Sequence, residues 1–482
     1  MVHIEDAVSV TAGGKRPLYA PRIKVHPKRV AGLYRHLKWT ALVVLLGIYY
    51  TVPWLRYDRG PGAPDQAVLI DLPARRAYFF GIEIWPQEVY YITGILIVAA
   101  IGLFFVTSLA GRIWCGYACP QTVWTDLYML VERWIEGDRN ARIKLDNAPW
   151  SWSKLGKRAA KHGVWIVIAA LTGGAWVLYF TDAPTVVGQI VTLQASPAVW
   201  TTIGLLTCTT YLLAGHAREQ VCTYMCPYAR FQGAMLDEHS LVVTYEKWRG
   251  EPRGHHKAGE SWEGRGHCVA CNQCVAVCPT GIDIRDGQQL ECIGCGLCID
   301  ACNHVMDKVG LPRGLIAFDT EANQEAREQG RTPRYRLLRP RTMIYGAIVA
   351  VVGGVMIYGL ASRASFEINV LRDRSPLFVT LRNGDISNAY TVKILNKHRQ
   401  PTEYELKAVG IEGLVMKVVG ANEEERTEAD LIAEPDTVTP FRVLVHVSRA
   451  SLKGESTPLR FILEDEESGQ RAVYDTVFRG PK

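Results

Sequence analysis

The run Cys268-Val-Ala-Cys271-Asn-Gln-Cys274-Val-Ala-Val-Cys278-Pro279, followed by Cys292-Ile-Gly-Cys295-Gly-Leu-Cys298-Ile-Asp-Ala-Cys302, decides what the middle of this chain can be. In each half two residues separate neighbouring cysteines, and three precede the fourth. Such spacing wraps three thiolates around one iron–sulfur cubane and sends the fourth to the neighbouring cubane. It predicts one [4Fe–4S] cluster on Cys268, Cys271, Cys274 and Cys302, and a second on Cys292, Cys295, Cys298 and Cys278. Thiolate is the soft ligand these clusters require. Paired zinc sites are the competing assignment, but four-ligand zinc modules show two Cys-x-x-Cys pairs separated by longer loops. Pro279 follows the first run and Asn303 the second; neither is a ligand. The stretch from Ile282 to Gly287 is expected to form a small hairpin between the halves. His267 and His304 adjoin cluster cysteines and are candidates for tuning their potential, plain solvent exposure being the alternative.

The remaining cysteines are also grouped. Of 13 in 482 residues, eight lie in this run and four form two Cys-x-x-x-Cys pairs. Only Cys208 stands alone, inside an apolar run where a packing role is expected. Clustering of this kind points to metal ligation in a reducing compartment, not to disulfides. A net charge of +6 does not suggest a nucleic-acid binder. No G-x-G-x-x-G fingerprint supports a built-in flavin or nicotinamide site, and no Cys-x-x-Cys-His signature marks haem attachment.

Five apolar stretches, roughly 39–55, 90–110, 163–181, 198–214 and 343–361, contain no Asp, Glu, Lys or Arg. Each is near the length of about 20 residues that a spanning helix needs. Trp39, Trp54, Tyr90, Tyr91, Trp200 and Tyr358 mark their ends, as in an interfacial aromatic belt. The polar N-terminus has no short apolar region ahead of a cleavage site, so the first run reads as a retained anchor. Segment 1–38 carries eight Lys/Arg against two acids, whereas loop 56–89 carries four against five. Loop 111–162 is basic again, through Arg133, Arg139, Arg142, Lys144, Lys154, Lys157, Arg158 and Lys161, and loop 182–197 has no such residue. Arg331, Arg334, Arg336, Arg339 and Arg341 precede the last run. The positive-inside rule then predicts a cytoplasmic N-terminus, 111–162 and 215–342, with everything beyond about residue 362 across a bacterial inner membrane.

The expected layout is a multidomain membrane protein with an α-helical bundle of about five helices. A basic N-terminus (1–38) leads into helices 1–2 (39–110), a loop (111–162) and helices 3–4 (163–214). A segment at 215–260 precedes an α+β domain of the bacterial two-cluster ferredoxin type (261–310). A basic linker (311–342), helix 5 (343–361) and a periplasmic all-β domain (362–482) complete it. In that last block Phe441, Val443, Val445 and Val447 alternate with polar residues, the signature of a half-buried strand. Other strand-like runs are 376–382, 389–395, 403–410, 457–463 and 472–478, and Asn383-Gly384 is a hairpin-turn dipeptide. Some seven short strands suggest an immunoglobulin-like sandwich.

Cys115-Gly-Tyr-Ala-Cys119-Pro120 follows the second apolar run, and Cys222-Thr-Tyr-Met-Cys226-Pro227 follows the fourth. The likeness suggests one helical-hairpin unit used twice. Cysteines at i and i+4 share a helical face. The proline also pushes the cysteine before it towards extended conformations, which would place it at a helix end. Bringing the two hairpins together would gather four thiols at the membrane surface, and soft thiolates favour Cu(I). Small-residue packing within the bundle is the alternative. His162 and His216 lie near helix ends and are candidates for haem or quinone, against ordinary interfacial placement.

The order of these parts resembles the cytochrome c oxidase accessory protein family (CcoG, also called FixG or RdxA). The likeness spans essentially the whole chain. It rests on Trp114-Cys-Gly-Tyr-Ala-Cys-Pro-Gln, Val221-Cys-Thr-Tyr-Met-Cys-Pro-Tyr-Ala-Arg-Phe-Gln, the eight-cysteine run, a fifth helix and a terminal sandwich. The paired Cys-Pro motifs are shared with its relatives NapH and NosR. The resemblance implies a cupric reductase supplying Cu(I) for a cbb3-type cytochrome oxidase, with copper handled at Cys115, Cys119, Cys222 and Cys226. It implies oxidase assembly factors or copper carriers as partners and a cytosolic electron donor, with a homo-oligomer also compatible. The competing classes are a quinol-linked electron-transfer subunit like NapH and a non-enzymatic redox scaffold or sensor.

Overall fold

Apolar runs become helices in a bilayer because the backbone finds no hydrogen-bonding partner except itself. The computed structural model describes residues 24–60, 62–256, 259–420, 426–452 and 454–481. Five of its helices are long and apolar enough to cross a membrane: Leu33–Trp54, Pro86–Ala110, Trp152–Val177, Pro197–Ala217 and Pro340–Ala361. The part of the expected basic N-terminus before residue 24 lies outside the described residues. The chain divides into two units, one of residues up to Tyr57 with Asp65–Met356, the other of Asp58–Pro64 with Ile357–Lys482.

In the first unit the helices in chain order begin with α1 (Leu33–Thr51), α2 (Tyr90–Ala110), α3 (Ile113–Tyr117) and α4 (Pro120–Glu136). Next come α5 (Arg139–Asn147), α6 (Trp152–Val177), α7 (Ala183–Val191), α8 (Pro197–Thr210) and α9 (Pro227–Met235). Two of these start earlier than the hydropathy predicts. Helix α1 begins six residues before Trp39 and so contains Arg35 and Lys38. Helix α6 begins at Trp152 instead of 163, takes in Lys154, Arg158 and Lys161, and ends at Val177 instead of 181.

Both differences have one cause, the acidic face of α4. Asp126 stands 3.1 Å from the Arg35 guanidinium and 3.3 Å from Lys38 Nζ. Glu136 pairs with Lys161 and Arg158 at 3.0 Å each, and Glu132 pairs with Arg142 at 3.0 Å and Arg218 at 2.5 Å. Arg35, Lys38, Arg158 and Lys161 are tolerated in these helices because a carboxylate meets each one, while Lys154 donates to the backbone oxygens of Asp146 and Ala148. Burial alone would raise the Glu132 carboxyl; the Arg218, Arg142 and Lys161 cations override it and hold its pKa down at about 2.

The loops are less plain than expected. Residues 56–89 carry a three-stranded antiparallel sheet, β1 (Val68–Asp71), β2 (Arg76–Phe79) and β3 (Ile82–Ile84). Gln66 Nε2 ties the chain just before it to Leu178 O at 2.7 Å. Residues 182–197 hold α7, capped by Asp182.

The cysteine-rich part is built on α10 (Lys247–Gly250), α11 (Gln273–Val277), α12 (Leu297–Val309) and α13 (Glu321–Glu328). Strands β4 (Val242–Tyr245) and β5 (Ile316–Asp319) pair antiparallel beside them. Since both strands lie outside 261–310, the folded module is wider than those limits. The expected hairpin at 282–287 is instead a single tight turn, Ile284–Asp286. Arg285 clamps Asp283 and reaches Asn272 Oδ1 at 2.8 Å, so side chains close the turn in place of a strand ladder. Asp300 on α12 accepts the backbone N–H groups of Tyr34 (3.3 Å) and Arg35 (2.8 Å), capping α1. Gly32 permits the approach; a Cβ there would stand 2.3 Å from the Asp300 side chain. Helix α14 (Pro340–Ala361) follows.

The second unit is an immunoglobulin-like sandwich. Its strands are β6 (Phe366–Arg372), β7 (Val379–Thr380), β8 (Ile386–Asn396), β9 (Thr402–Val409) and β10 (Val415–Val419). They continue with β11 (Glu428–Ala433), β12 (Thr437–Val447), β13 (Ser456–Asp465) and β14 (Arg471–Arg479). One sheet runs β10-β12-β8-β6 with β7 on β8, the other β11-β9-β13-β14. Val443, Val445 and Val447 point into the core with Tyr390, Tyr404 and Phe461, as their alternation requires. The run expected at 376–382 shrinks to the two residues of β7. At the Asn383-Gly384 turn Gly384 takes φ +89°.

Candidate functional site

The cluster cysteines surround two small voids, each of about 20 Å³. Cys268, Cys271, Cys274 and Cys302 line the first, beside Arg285 and Tyr245. Cys278, Cys292, Cys295 and Cys298 line the second, and Cys274 reaches both. The fourth cysteine of each run thus stands with the other run's three. Burial pushes the Cys302 and Cys292 thiols up to about 12, and adjacent thiols add to it. Cys271, Cys274, Cys295 and Cys298 shift upward for the same first reason. Buried sulfurs crowded around a hollow fit a group that supplies compensating cationic charge, as iron does. These residues would hold the two cubanes, which supply reversible one-electron storage when bound.

The two Cys-x-x-x-Cys-Pro motifs have the same build. Cys119 N–H donates to Trp114 O at 2.9 Å, and Cys226 N–H to Val221 O at 2.7 Å. Each bond closes a wide turn from the second cysteine to the residue before the first. Pro120 and Pro227 then open α4 and α9, with Cys119 and Cys226 at the N-cap positions. Each pair is therefore a turn and a helix end, not one shared helical face.

The structure packs Cys115 and Cys222 in one cluster, with Cys119 and Cys226 near enough to act on them electrostatically. Cys115 feels the charges of Cys119 and Cys226, and Cys222 those of Cys119, Cys115 and Cys226. Burial pushes the Cys222 thiol up to about 12, the neighbouring thiols reinforce it, and the Arg112 guanidinium acts against them. The Cys115 thiol, raised first by burial, donates to Gln232 Oε1 at 2.9 Å. Gln232 is fully buried, accepts Arg112 Nε at 3.3 Å and donates to Thr107 Oγ1 at 3.2 Å. Among the described residues no three His, Cys, Asp or Glu side chains stand in the geometry of a single bound ion.

This thiol group abuts the second void. Cys115, with Cys222 packed against it, shares an apolar cluster with Ile293, Cys295 and Leu297. Gly116 lets the backbones meet; a Cβ there would stand 2.9 Å from Gly294 O. Arg112 also donates to Leu290 O.

Other candidates fall elsewhere. His162 and His216 stack on each other, ring centres 5.7 Å apart, and His162 Nδ1 lies 3.0 Å from the Tyr211 hydroxyl. Cys208 is exposed on α8, facing outward instead of packing inside the bundle. His267 Nδ1 accepts Arg249 Nε at 2.9 Å.

Residues 217–321 match a family described as a 4Fe-4S dicluster domain, and residues 92–138 match a 4Fe-4S binding domain. Residues 356–481 match the IG-like fold at the C-terminus of FixG. The nitrogen fixation protein FixG of Rhizobium meliloti is 49% identical over 505 residues, spanning 99% of this chain and 96% of that protein. The chain belongs to the FixG family. Within it, protein RdxB of Cereibacter sphaeroides is 49% identical, over 96% of this chain and 97% of its own length. Protein RdxA of the same organism is 47% identical, over 97% and 99%. The FixG-family chain is a membrane iron–sulfur protein that transfers electrons.

Sequence reasoning missed four residues of the site: Arg112, Tyr117, Gln232 and Arg285. Arg112 had a signal, being the lone charge between the second apolar run and Cys115. Gln232 ends the quoted Pro-Tyr-Ala-Arg-Phe-Gln stretch, but its partner Arg112 lies 120 residues away.

Proposed function

We propose that this FixG-family protein reduces Cu(II) to Cu(I) at Cys115, Cys119, Cys222 and Cys226, for the assembly of a cbb3-type cytochrome c oxidase. One observation carries the reading: Cys115 and Cys222, one from each pair, pack in a single apolar cluster with Ile293 and Cys295, beside the second set of cluster ligands. Copper is the substrate. One electron converts Cu(II) to Cu(I), and soft thiolates then favour the product. Binding draws the four thiols together and displaces their protons. Arg112 offsets part of the negative charge this leaves, and Gln232 holds Cys115 in place.

The basic loops support a cytoplasmic side for this site and a periplasmic sandwich. A cytosolic donor would then deliver electrons, and the sandwich would meet an oxidase assembly factor or copper carrier. The test is Cu(I) yield. Anaerobic protein reduced with dithionite and desalted is mixed with Cu(II), and a Cu(I)-specific chelator measures the product. The protein should form Cu(I) stoichiometrically with the electrons it holds, and Cys115→Ser/Cys222→Ser should not. Equal yields from both proteins would refute the reading.

A further inference from the structure

A cavity of about 660 Å³ is walled by Glu238 and His239, by residues of α13, and by the irregular strap that runs from Arg331 towards Arg339. We propose that it binds the phosphate headgroup of an anionic phospholipid. The inference rests on neither copper nor the iron–sulfur clusters, only on the chain spanning a membrane.

The strap fixes where the cavity lies. At one end Arg339 directly precedes α14, pairs with Asp237 and donates to Ser108 O on α2. At the other end the strap is held on α13. Arg331 N–H donates to Ala326 O at 2.6 Å, and Arg334 N–H to Asn323 Oδ1 at 2.8 Å. The cavity is thus a few residues from the ends of two spanning helices, beside the headgroup layer that borders the hydrocarbon core.

The lining supplies the charge. Arg331, Arg334 and Arg336 face the cavity, and among the described residues no ion pair or side-chain hydrogen bond holds their guanidinium groups. Arg327 on α13, by contrast, is matched by Glu246 and Asp319. Two acids share the wall: Glu238 stands 3.5 Å from His239 Nε2, and Glu325 is exposed. Three guanidiniums against two carboxylates leave one positive charge, the complement of the single negative charge on a phosphodiester. The planar guanidinium fork also matches phosphate oxygens in geometry.

The same strap supplies an apolar side. Tyr335, Leu337 and Leu338 do not line the cavity and are exposed, Leu338 by 86%. They lead into Met343 and Ile344, exposed on α14. Arginines next to exposed apolar side chains at a helix end are the pattern that engages anionic lipid. A free phosphate ion would use the arginines and leave the apolar residues bare. A phospholipid uses both, its headgroup in the cavity and its acyl chains along α14.

The test uses the full-length protein in phosphatidylcholine nanodiscs that contain phosphatidylglycerol with a photoreactive headgroup. Covalent labelling should fall on residues 238–239 and 331–336. Unlabelled phosphatidylglycerol should suppress it, and extra phosphatidylcholine should not. Arg334→Gln and Arg336→Gln should each lower labelling by about fivefold or more, through loss of a charge-assisted contact. Arg341→Gln removes the same charge from the same end of α14, outside the cavity, and should leave labelling unchanged. Unchanged thermal unfolding of each variant separates lost binding from a lost fold. An equal loss in Arg341→Gln would show attraction to surface charge alone and would overturn the proposal. Labelling spread along the spanning helices, or suppression by inorganic phosphate, the mark of a free-anion site, would also overturn it.

Discussion

The Tyr117 hydroxyl donates a 3.0 Å hydrogen bond to the carbonyl oxygen of Cys295. Tyr117 is the middle residue of the first Cys-x-x-x-Cys-Pro motif's interval, and Cys295 belongs to the second cluster set. The bond therefore joins the four-thiol site to the iron–sulfur module directly.

Tyr117→Phe removes that bond and should cost about 0.5–1.5 kcal/mol of stability. Iron content should stay normal while the rate of cluster oxidation by Cu(II) falls several-fold, read by stopped-flow absorbance. Gly116→Val should be worse, because its side chain would meet Gly294 O and Ile293 O. It should separate the two sites and abolish the fast phase. A Gly116→Val protein with a normal fast phase would show that this contact does not matter.

Asp300 ties the cluster domain to the first spanning helix through two backbone N–H groups. Asp300→Ala should lose about 1–2 kcal/mol, the usual cost of removing an N-cap. Asp300→Asn keeps an acceptor oxygen and should recover more than half of it. Thermal unfolding of the three proteins in one detergent provides the comparison. Equal losses for Ala and Asn would show that the charge, not the cap, matters.

Glu132 sets an acid limit. Its carboxyl drops from an ordinary 4.5 to about 2 in the fold. The folded state binds the proton less tightly than the unfolded state. The stabilisation is therefore complete above about pH 4.5 and is lost as pH falls from there towards 2. Glu132→Gln should remove this part of the acid slope. It should also lower stability at neutral pH by about 3–5 kcal/mol, since Arg142 and Arg218 lose their carboxylate partner. Melting temperature against pH, wild type beside variant, measures both effects.

Phe461 is fully buried between the sheets of the sandwich, edge-on to Tyr390 at 5.3 Å between ring centres. Phe461→Ala should cost about 3–5 kcal/mol. The effect should appear in chemical unfolding followed by near-ultraviolet circular dichroism, with iron content unchanged if the two units fold independently. Coupled iron loss would show that they do not.

What was legible in the sequence was local. The cluster ligands and both Cys-Pro pairs declare themselves through spacing, and β12 through strict alternation. What was hidden depends on distant partners. Arg35 and Lys38 read as the end of a polar tail because Asp126, which neutralises them, lies about 90 residues away. Lys161 hid the start of α6 in the same way, its carboxylates being on α4. The turn at Ile284–Asp286 looked like a hairpin because alternation of Ile and Asp mimics a strand; only the Arg285 clamp shows otherwise. Strands β6, β10 and β11 carry mixed alternation and no turn dipeptide as clear as Asn383-Gly384.

The most direct measurement follows both metals in one sample. Dithionite-reduced protein, freed of reductant, receives one equivalent of Cu(II) and is frozen at intervals for electron paramagnetic resonance. The reduced-cluster signal and the Cu(II) signal should vanish together, electron for electron, and both should persist in Cys115→Ser/Cys222→Ser. Loss of the Cu(II) signal while the clusters stay reduced, or equal loss in the serine variant, would contradict electron delivery to the four thiols.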